Sequence, residues 1–499
     1  MLRTHHIIPL IIALLIGSAF FDGTRAQDLL PRSTPEAEGL SSLHIQEFFD
    51  TLMQDSRTEV HSCIVMRHGH VVAEMYPQPW RKEYRHTTYS ISKTFTSVAV
   101  GMCIADSLIA LGDTIGKFLA IPPHASKSIR AITVRDLLTM QSGIPVDTKM
   151  RIHETQWLRT YLSKKPTSAP GTRWAYDSIM SYLLSAIVQK ATGQTLMDFL
   201  TNRLFTPLGI TDALWEESPE GITCGGWGLY IRPEVMAAFG QFLLNKGKWH
   251  GKQLLSSSWV GEMMKPQSVN GRYSYHIWQT KYPGWAEANG ANGQFIFIIP
   301  ETDMVVSITQ CTGKSAPIQE WIKTMLVDNC HTEALAPHDH AISFNDYTMP
   351  LAQGKAYSSD SVPSQDRKAN IADGIALGDN PLRWKHLGIT QSNDTLLLDI
   401  CDTDGHEYTI ALGHGQWIES EVNALPYYNP PFQGNFSNLP TTWHVAGSYA
   451  WTATTLSIQL HWVDWLTSAS IEILFPEQGN PTINITPHNT GKKVQVVTR

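Results

Sequence analysis

The chain has 499 residues, of which 42% are hydrophobic and 17% charged, with a formal net charge of −7 at pH 7. A chain of this length can form two or three domains with an ample core. The acidic balance and the lack of a long basic run give no basis for nucleic-acid binding. After the N-terminal segment, no stretch is apolar enough to predict a membrane span.

The first 26 residues have the pattern of an export signal. Arg3 supplies a positive start, residues 7–21 form an apolar run, and the small residue Ala26 precedes Gln27. The run is short for a membrane-spanning helix. We therefore expect an exported protein, periplasmic or secreted, with cleavage before Gln27. An uncleaved N-terminal anchor is the alternative.

Residues 42–53 are amphipathic, and residues 63–75 predict two strands that flank a turn at His68 and Gly69. His68 and His70 could ligate a metal, but we interpret them as turn residues. The six cysteines show no C-x-x-C or other metal-ligand spacing. We interpret them mostly as core thiols, with a disulfide as an open alternative.

Residues 88–97 carry a serine and a lysine three positions apart at the start of a predicted helix. If the helix begins near Ser90, then Ser90 and Lys93 lie one turn apart on the same face. A serine hydroxyl needs an adjacent base, and lysine can serve only in its neutral form. Lowering a lysine pKa from about 10.4 to about 7 costs roughly 4 to 5 kcal/mol, which predicts a desolvated site. The unpaired N–H groups of the helix start would suit an oxyanion.

Further elements follow in the same part of the chain. Residues 132–143 predict a short capped helix that ends at a glycine, and residues 232–245 predict a longer helix. Between them, residues 225–228 (Gly-Gly-Trp-Gly) permit a close backbone approach to substrate or to another strand. A tight packing turn is the alternative. Two strands are predicted at residues 295–300 and 304–308.

Three motifs in this order resemble the serine β-lactamase and penicillin-binding-protein superfamily. They are residues 89–93 (Tyr-Ser-Ile-Ser-Lys), 136–143 (Asp-Leu-Leu-Thr-Met-Gln-Ser-Gly) and 170–176 (Pro-Gly-Thr-Arg-Trp-Ala-Tyr). The resemblance covers roughly residues 30–330 and is greatest to the class C, esterase and 6-aminohexanoate-dimer hydrolase branch. It implies an α/β (α+β) fold, in which an antiparallel sheet is flanked by helices and joined to a helical subdomain.

The resemblance also implies roles for individual residues. Ser90 would be the acylated nucleophile, Lys93 its base, and Tyr176 the proton shuttle to the leaving group and the deacylating water. A phenol beside a lysine can have a lowered pKa, which would suit transfer in both directions. Ser178 stands where the family has asparagine, and its hydroxyl can still donate a hydrogen bond to substrate.

The family's third element is a strand that carries Lys-Thr-Gly or His-Thr-Gly and donates a backbone N–H to the oxyanion. The matching triplet here is Ala288-Asn289-Gly290, with the N–H of Gly290 or Ala291 as the expected donor. No cation occupies the triplet. Since the β-lactam-processing members are expected to use that cation on a substrate carboxylate, its absence predicts a neutral ester or amide substrate.

The C-terminal part differs in composition. Residues 331–373 lose periodicity and gain Pro, Ser and Asp, which predicts a linker or long loop. A metal site at His338 and His340 is possible there, but we prefer solvated loop residues. Residues 374–499 contain short alternating runs, which predict a small antiparallel sandwich or barrel. The tryptophans of this part could line a groove, although core filling is the preferred interpretation.

The sequence thus predicts a signal peptide (1–26), a β-lactamase-like hydrolase domain (27–330), a linker (331–373) and an all-β C-terminal domain (374–499). The expected reaction is hydrolysis of an ester or amide in a small or peptide-like substrate through acyl-Ser90. Neither a metal nor an organic cofactor is implied. The alternatives are a β-lactamase or D-Ala-D-Ala carboxypeptidase, and a non-catalytic envelope binding protein that keeps the fold.

Overall fold

The computed structural model describes residues 28–337, 343–344, 346–353, 374–392, 395–424, 426, 434, 438–452, 454–476 and 479–498. The predicted export signal lies outside these ranges. So do His338, His340 and residues 354–373 of the predicted linker. Within the described ranges, no helix has both the length and the apolar character needed to cross a bilayer.

Helices and short strands alternate before residue 330. The helices are α1 (Ser42–Gln54), α2 (Ser92–Ala105), α3 (Lys127–Ala131), α4 (Val134–Leu138), α5 (Met150–His153), α6 (Trp157–Leu162), α7 (Ser178–Thr192), α8 (Leu196–Leu200), α9 (Pro233–Leu244), α10 (Ser257–Met263) and α11 (Ile318–Trp321). The strands are β1 (Val60–Arg67), β2 (His70–Met75), β3 (His86–Thr87), β4 (Leu214–Trp215), β5 (Leu229–Ile231), β6 (Lys248–Trp249), β7 (Lys252–Gln253), β8 (Trp278–Gln279), β9 (Ala286–Gly290), β10 (Gln294–Ile299) and β11 (Met304–Gln310).

A six-stranded antiparallel sheet in the order β2-β1-β11-β10-β9-β8 forms the centre of this part. Its two faces pack against different helices. Ile296 and Ile298 of β10 join the core that contains α2, α7 and α9, whereas Phe297 and Ile299 join the core that contains α1. Because both faces are covered, β10 and β11 are apolar almost throughout. The predicted sheet flanked by helices is confirmed.

Helix α2 is the buried helix that the sequence predicts. Its residue Phe95 stacks on Phe239 of α9, with ring centroids 3.6 Å apart. The predicted start near Ser90 is two residues too early, because Tyr89–Ile91 forms a 3₁₀ turn and α2 begins at Ser92. The predicted helix at residues 132–143 also ends early, at Leu138, because the chain reverses at Met140 with φ of 60°.

In the C-terminal part, the described residues form one ten-stranded sheet. Its strands are β12 (Ile375–Ala376), β13 (Trp384–Ser392), β14 (Thr395–Asp402), β15 (Glu407–His414), β16 (Ile418–Val422), β17 (Trp443–Thr452), β18 (Thr455–Trp462), β19 (Ser468–Leu474), β20 (Thr482–Pro487) and β21 (Val494–Val496). Neighbouring strands pair antiparallel except β15 and β17, which pair parallel. The sheet edges approach each other through the Leu377–Thr498 bridge, so the sheet curls into a half-barrel.

The two parts of the chain pack against each other. Tyr230 of β5 stacks on Trp465, with ring centroids 5.0 Å apart, and belongs to the core of the C-terminal sheet. Trp443, Trp451 and Trp462 fill the same core, as preferred from the sequence. All six cysteines are unpaired thiols.

Candidate active site

Ser90 lies in the 3₁₀ turn between β3 and α2, and hydrogen bonds to β5 fix that turn. The N–H of Thr88 donates to the carbonyl oxygen of Leu229 over 3.0 Å. The Ser92 hydroxyl donates to the Tyr89 carbonyl over 2.6 Å. Tyr89 has φ of 45°, a left-handed conformation that costs energy for a residue with a side chain. This geometry presents Ser90 at the N-terminal end of α2, where backbone N–H groups are unpaired.

Lys93 lies about one turn after Ser90 and contacts its hydroxyl. Its Nζ is 2.9 Å from the Ser90 Oγ and 3.0 Å from the Ser178 Oγ, and it donates to the Gly226 carbonyl over 2.6 Å. The side chain is 1% exposed. Burial, followed by repulsion from the Arg151 guanidinium, holds the Lys93 pKa well below its usual range. The structure therefore favours the neutral amine that the sequence argument requires.

A neutral amine can satisfy all three hydrogen-bond partners of Lys93. A neutral amine has two N–H donors and one lone pair, and the Gly226 carbonyl can only accept. If Ser178 accepts the second N–H, the lone pair is left for the hydroxyl proton of Ser90. Ser178 therefore contacts Lys93, and the hydrogen bond from its hydroxyl to substrate stays a prediction.

Tyr176 completes the group from the segment before α7. Its phenol lies close enough to the Ser90 side chain for that hydroxyl to act on the Tyr176 pKa. The Lys93 Nζ lies over the face of its ring, 4.8 Å from the centroid. The expected lowering of its pKa is wrong, since burial raises the pKa of Tyr176 to about 12 against the smaller opposing effect of Ser90. A neutral lysine above the ring does not stabilise a phenolate, so Tyr176 is a neutral proton donor at neutral pH.

The predicted third element also lies beside the nucleophile. A Cβ at Gly290, the last residue of β9, would overlap the Thr88 carbonyl oxygen, so this strand end abuts the nucleophile turn. The Tyr89 phenol is hydrogen bonded to Asn292, in the turn that follows. Ala291, one of the two expected oxyanion donors, lies between them and is exposed. These contacts fix the position of the end of β9 relative to the turn that carries Ser90.

Asn289 does not join this group through its side chain. Its amide donates to the Glu287 carboxylate over 3.1 Å, and the other Glu287 oxygen accepts from Gln319 of α11 over 2.8 Å. Alternate residues of a strand point to opposite faces, so Asn289 and Glu287 share the face away from Gly290. The Asn289 side chain therefore points away from the serine turn, and the predicted place of Asn289 in the substrate-binding element concerns its backbone.

The glycine-rich loop approaches two helices instead of a strand. A Cβ at Gly226 would lie 2.5 Å from the Ser178 carbonyl oxygen, and one at Gly225 would lie 2.7 Å from that of Ser181. The Gly225 carbonyl accepts a hydrogen bond from Thr96 over 2.7 Å. The loop therefore packs against α2 and α7 and supplies the carbonyl that holds Lys93.

Two features of the site were not found from the sequence. Trp174, Tyr273 and Trp278 surround Tyr176 with ring centroids 5.6–6.3 Å from its own, forming an aromatic wall beside the nucleophile. The aromatic-rich segment at residues 273–278 was the available signal. The second feature is Arg151 of α5, which lies over the Trp227 ring, 4.4 Å from its centroid, and acts on the Lys93 pKa. No local sequence motif predicts that Arg151 lies near the site.

Comparison with known proteins agrees with this geometry. The model of the β-lactamase family matches residues 45–318, which is 274 of the 499 residues. The chain belongs to the β-lactamase family.

Individual relatives of this family are distant. The chain is 27% identical to a β-lactamase of Escherichia coli strain K12, over 39% of this chain and 51% of that protein. It is 23% identical to the 6-aminohexanoate-dimer hydrolase of Paenarthrobacter ureafaciens, over 49% of this chain and 70% of that protein. A solved structure, a putative 6-aminohexanoate-dimer hydrolase from Bacillus anthracis, superposes with a TM-score of 0.51 at 21% identity, covering 60% of this chain and 86% of that one. The chain thus spans about half the length of the E. coli relative.

The family assignment leads to a prediction about the strand end that abuts the serine turn. Gly290→Ala should lower the free energy of unfolding by about 1–3 kcal/mol, because its methyl group would overlap the Thr88 carbonyl. It should also lower kcat by displacing β9 from the nucleophile. Urea unfolding and ester hydrolysis measure the two effects. The control is Gly112→Ala, where no heavy atom lies within 4 Å of the added Cβ. A Gly290→Ala protein that matches this control would refute the close approach.

Proposed function

We propose that this β-lactamase-family protein is an exported serine hydrolase that cleaves an ester or amide bond through an acyl-Ser90 intermediate. The observation that carries the proposal is the 2.9 Å contact between the buried Lys93 Nζ and the Ser90 Oγ, with the Tyr176 phenol near the same hydroxyl. A hydroxyl that contacts a desolvated amine and has a proton donor nearby has the parts needed for nucleophilic catalysis.

In the proposed acylation, the Ser90 Oγ attacks the substrate carbonyl carbon while its proton passes to the Lys93 Nζ. Backbone N–H groups at Ser90 and at Gly290 or Ala291 stabilise the oxyanion. The bond to the leaving group then breaks as the leaving group takes the proton of Tyr176. The Lys93 ammonium returns its proton to the phenolate, which restores both groups. In the second half, water attacks the acyl carbon and gives a proton to the Lys93 Nζ; the bond to the Ser90 Oγ then breaks, that oxygen takes the proton back from Lys93, and the acid is released.

The substrate preference rests on the third strand and on Arg151. Ala288 occupies the position of the family's cation, which supports a neutral substrate. Arg151, however, brings a cation close enough to act on Lys93. This observation favours the second candidate function, a β-lactamase or D-Ala-D-Ala carboxypeptidase that acts on an anionic substrate. Nitrocefin turnover exceeding that of neutral esters would select this second candidate.

The direct test of the proposal is active-site labelling. A fluorophosphonate probe should label the wild-type chain at one site, and Ser90→Ala should abolish labelling, because the probe phosphonylates an activated serine hydroxyl. Ser163→Ala, which removes an exposed hydroxyl at the end of α6, should label like wild type. Mass spectrometry locates the adduct. Labelling of Ser90→Ala at full strength would remove Ser90 from the mechanism.

The wild-type and Ser90→Ala proteins also distinguish an enzyme from a non-catalytic binding protein that keeps the fold. A hydrolase should turn over p-nitrophenyl acetate in a manner that depends on Ser90, and a binding protein should show only the background rate. Export is tested separately, by N-terminal sequencing of protein recovered outside the cytoplasm. An N-terminus at Gln27 would support cleavage of residues 1–26.

A further inference from the structure

Three imidazoles surround one carboxylate where the two parts of the chain meet, away from the residues placed in the hydrolase mechanism. Glu59, just before β1, faces His461 of β18 and His488, which follows β20. His61 of β1 lies on the other side, with its Nε2 3.5 Å from the Glu59 Oε1. His461 is 1% exposed. Glu59 and the two C-terminal histidines thus lie on opposite sides of the contact between the domains.

The donor atoms of Glu59, His461 and His488 converge on one point. One atom from each lies within 4.8 Å of the other two. The Nδ1 of His488 is 2.7 Å from the Glu59 Oε2, and that of His461 is 3.7 Å from Oε1. Two donors bound to a tetrahedral zinc ion at about 2.0–2.1 Å from the metal are about 3.3 Å apart. The two measured separations, which involve different oxygens of Glu59, are within about 0.6 Å of that value.

Both Nδ1 atoms are buried, and neither makes an aligned hydrogen bond to any residue that the structure describes. The 2.7 Å contact between the His488 Nδ1 and the Glu59 Oε2 is short enough for an ion pair, although it lacks the alignment of an N–H···O bond. The buried Nδ1 of His461 is left without a hydrogen bond beside the same carboxylate, a costly arrangement that a bound cation would relieve.

Neighbouring side chains orient these donors. The Ser470 hydroxyl lies 2.8 Å from the Nε2 of His488, which leaves Nδ1 for another ligand. The Ser468 hydroxyl donates to the Glu59 Oε1, which leaves Oε2. Hydrogen bonds of this kind fix the ring orientation of metal-ligating histidines.

A cavity also lies beside Glu59, His461 and His488. A cavity of about 290 Å³ is lined by Glu59, His461 and His488, together with residues of α1 and β18. Two histidines and a carboxylate leave one position of a tetrahedral ion for water or a small ligand, and the cavity provides that position.

We propose that Glu59, His461 and His488 bind a divalent transition-metal ion, zinc being the preferred candidate. The ion would tie the hydrolase domain to the C-terminal sheet, because its ligands come from both. The group at Asp402, Asp404 and His406 differs: it is largely exposed, and Asp402 already accepts the backbone N–H groups of Asp404 and His406. It provides a matched control.

The test uses the full chain, purified without a polyhistidine tag, stripped with a chelator, reloaded with Zn²⁺ and desalted. Metal analysis should find close to one zinc per chain in the wild type and in His406→Ala. His461→Ala and Glu59→Gln should bind zinc at least tenfold more weakly. Co²⁺ loading should give visible ligand-field bands in the wild type and in His406→Ala, and none in His461→Ala.

Folding is controlled by circular dichroism of each variant in chelator. Since His488 is less buried than His461, His488→Gln provides a second variant that keeps a polar side chain. Zinc should raise the unfolding temperature of the wild type and not that of His488→Gln. A wild type that retains no zinc and shows no Co²⁺ bands would overturn the proposal. So would His461→Ala and His488→Gln proteins that bind as tightly as wild type.

Discussion

Lys93→Met is expected to lower kcat/KM for an activated ester by about 10³-fold or more, because it removes the base from the nucleophile and leaves the chain length similar. The measurement is steady-state hydrolysis of p-nitrophenyl acetate. Lys190→Met, which changes an exposed lysine at the end of α7, is the control and should keep wild-type activity. A Lys93→Met enzyme within tenfold of wild type would assign the base to another residue.

The pH dependence follows from the same lysine. Only the neutral amine can accept the Ser90 proton, so kcat/KM should rise with pH as Lys93 loses its proton. Burial and Arg151 lower the Lys93 pKa, so the rise should occur well below the usual lysine value of 10.5. Arg151→Gln removes a repelling cation and should move the midpoint to higher pH. A wild-type profile whose midpoint stays at the ordinary lysine value would contradict the desolvated base.

Tyr176→Phe is expected to lower kcat by about 10²–10⁴-fold, because the variant cannot protonate the leaving group. The loss should be greater for an alkyl ester than for a p-nitrophenyl ester, since an alkoxide needs a proton to leave and p-nitrophenolate does not. Comparing the two substrates therefore separates proton donation from packing of the ring.

Tyr275→Phe is a matched control for the phenol. Its hydroxyl is buried and has no hydrogen-bond partner among the described residues, so its removal should leave both rates unchanged. Equal losses of the Tyr176→Phe enzyme on both esters would indicate a positioning effect. No loss on either would remove Tyr176 from proton transfer.

Proximity in the chain explains what the sequence could predict about the site. Ser90 and Lys93 are three residues apart, and the 3₁₀ turn that leads into α2 keeps them as close as the predicted helix would. The strands β10 and β11 follow from apolar β-branched runs, and α9 from a helical pattern that begins at a proline. These elements depend on local preferences and on burial, which short stretches of sequence record.

Contacts between residues far apart in the chain could not be predicted from local sequence patterns. The effect of Lys93 on the Tyr176 pKa was predicted wrongly, because the position of Lys93 over the Tyr176 ring depends on how α2 and α7 pack. Arg151 reaches the site from α5, and Glu59 meets histidines some four hundred residues later. A motif fixes spacing along the chain, but a pKa depends on every charge and on the solvent excluded around a group.

By itself the sequence predicted the Ser90 and Lys93 pair, the family resemblance and several of the helices and strands, since each depends on short stretches of sequence. Tertiary structure alone decided which face Asn289 presents, which carbonyl holds Lys93 and which imidazoles meet Glu59. The physical reason is that burial and electrostatic interaction act through space, between side chains that packing brings within a few ångströms.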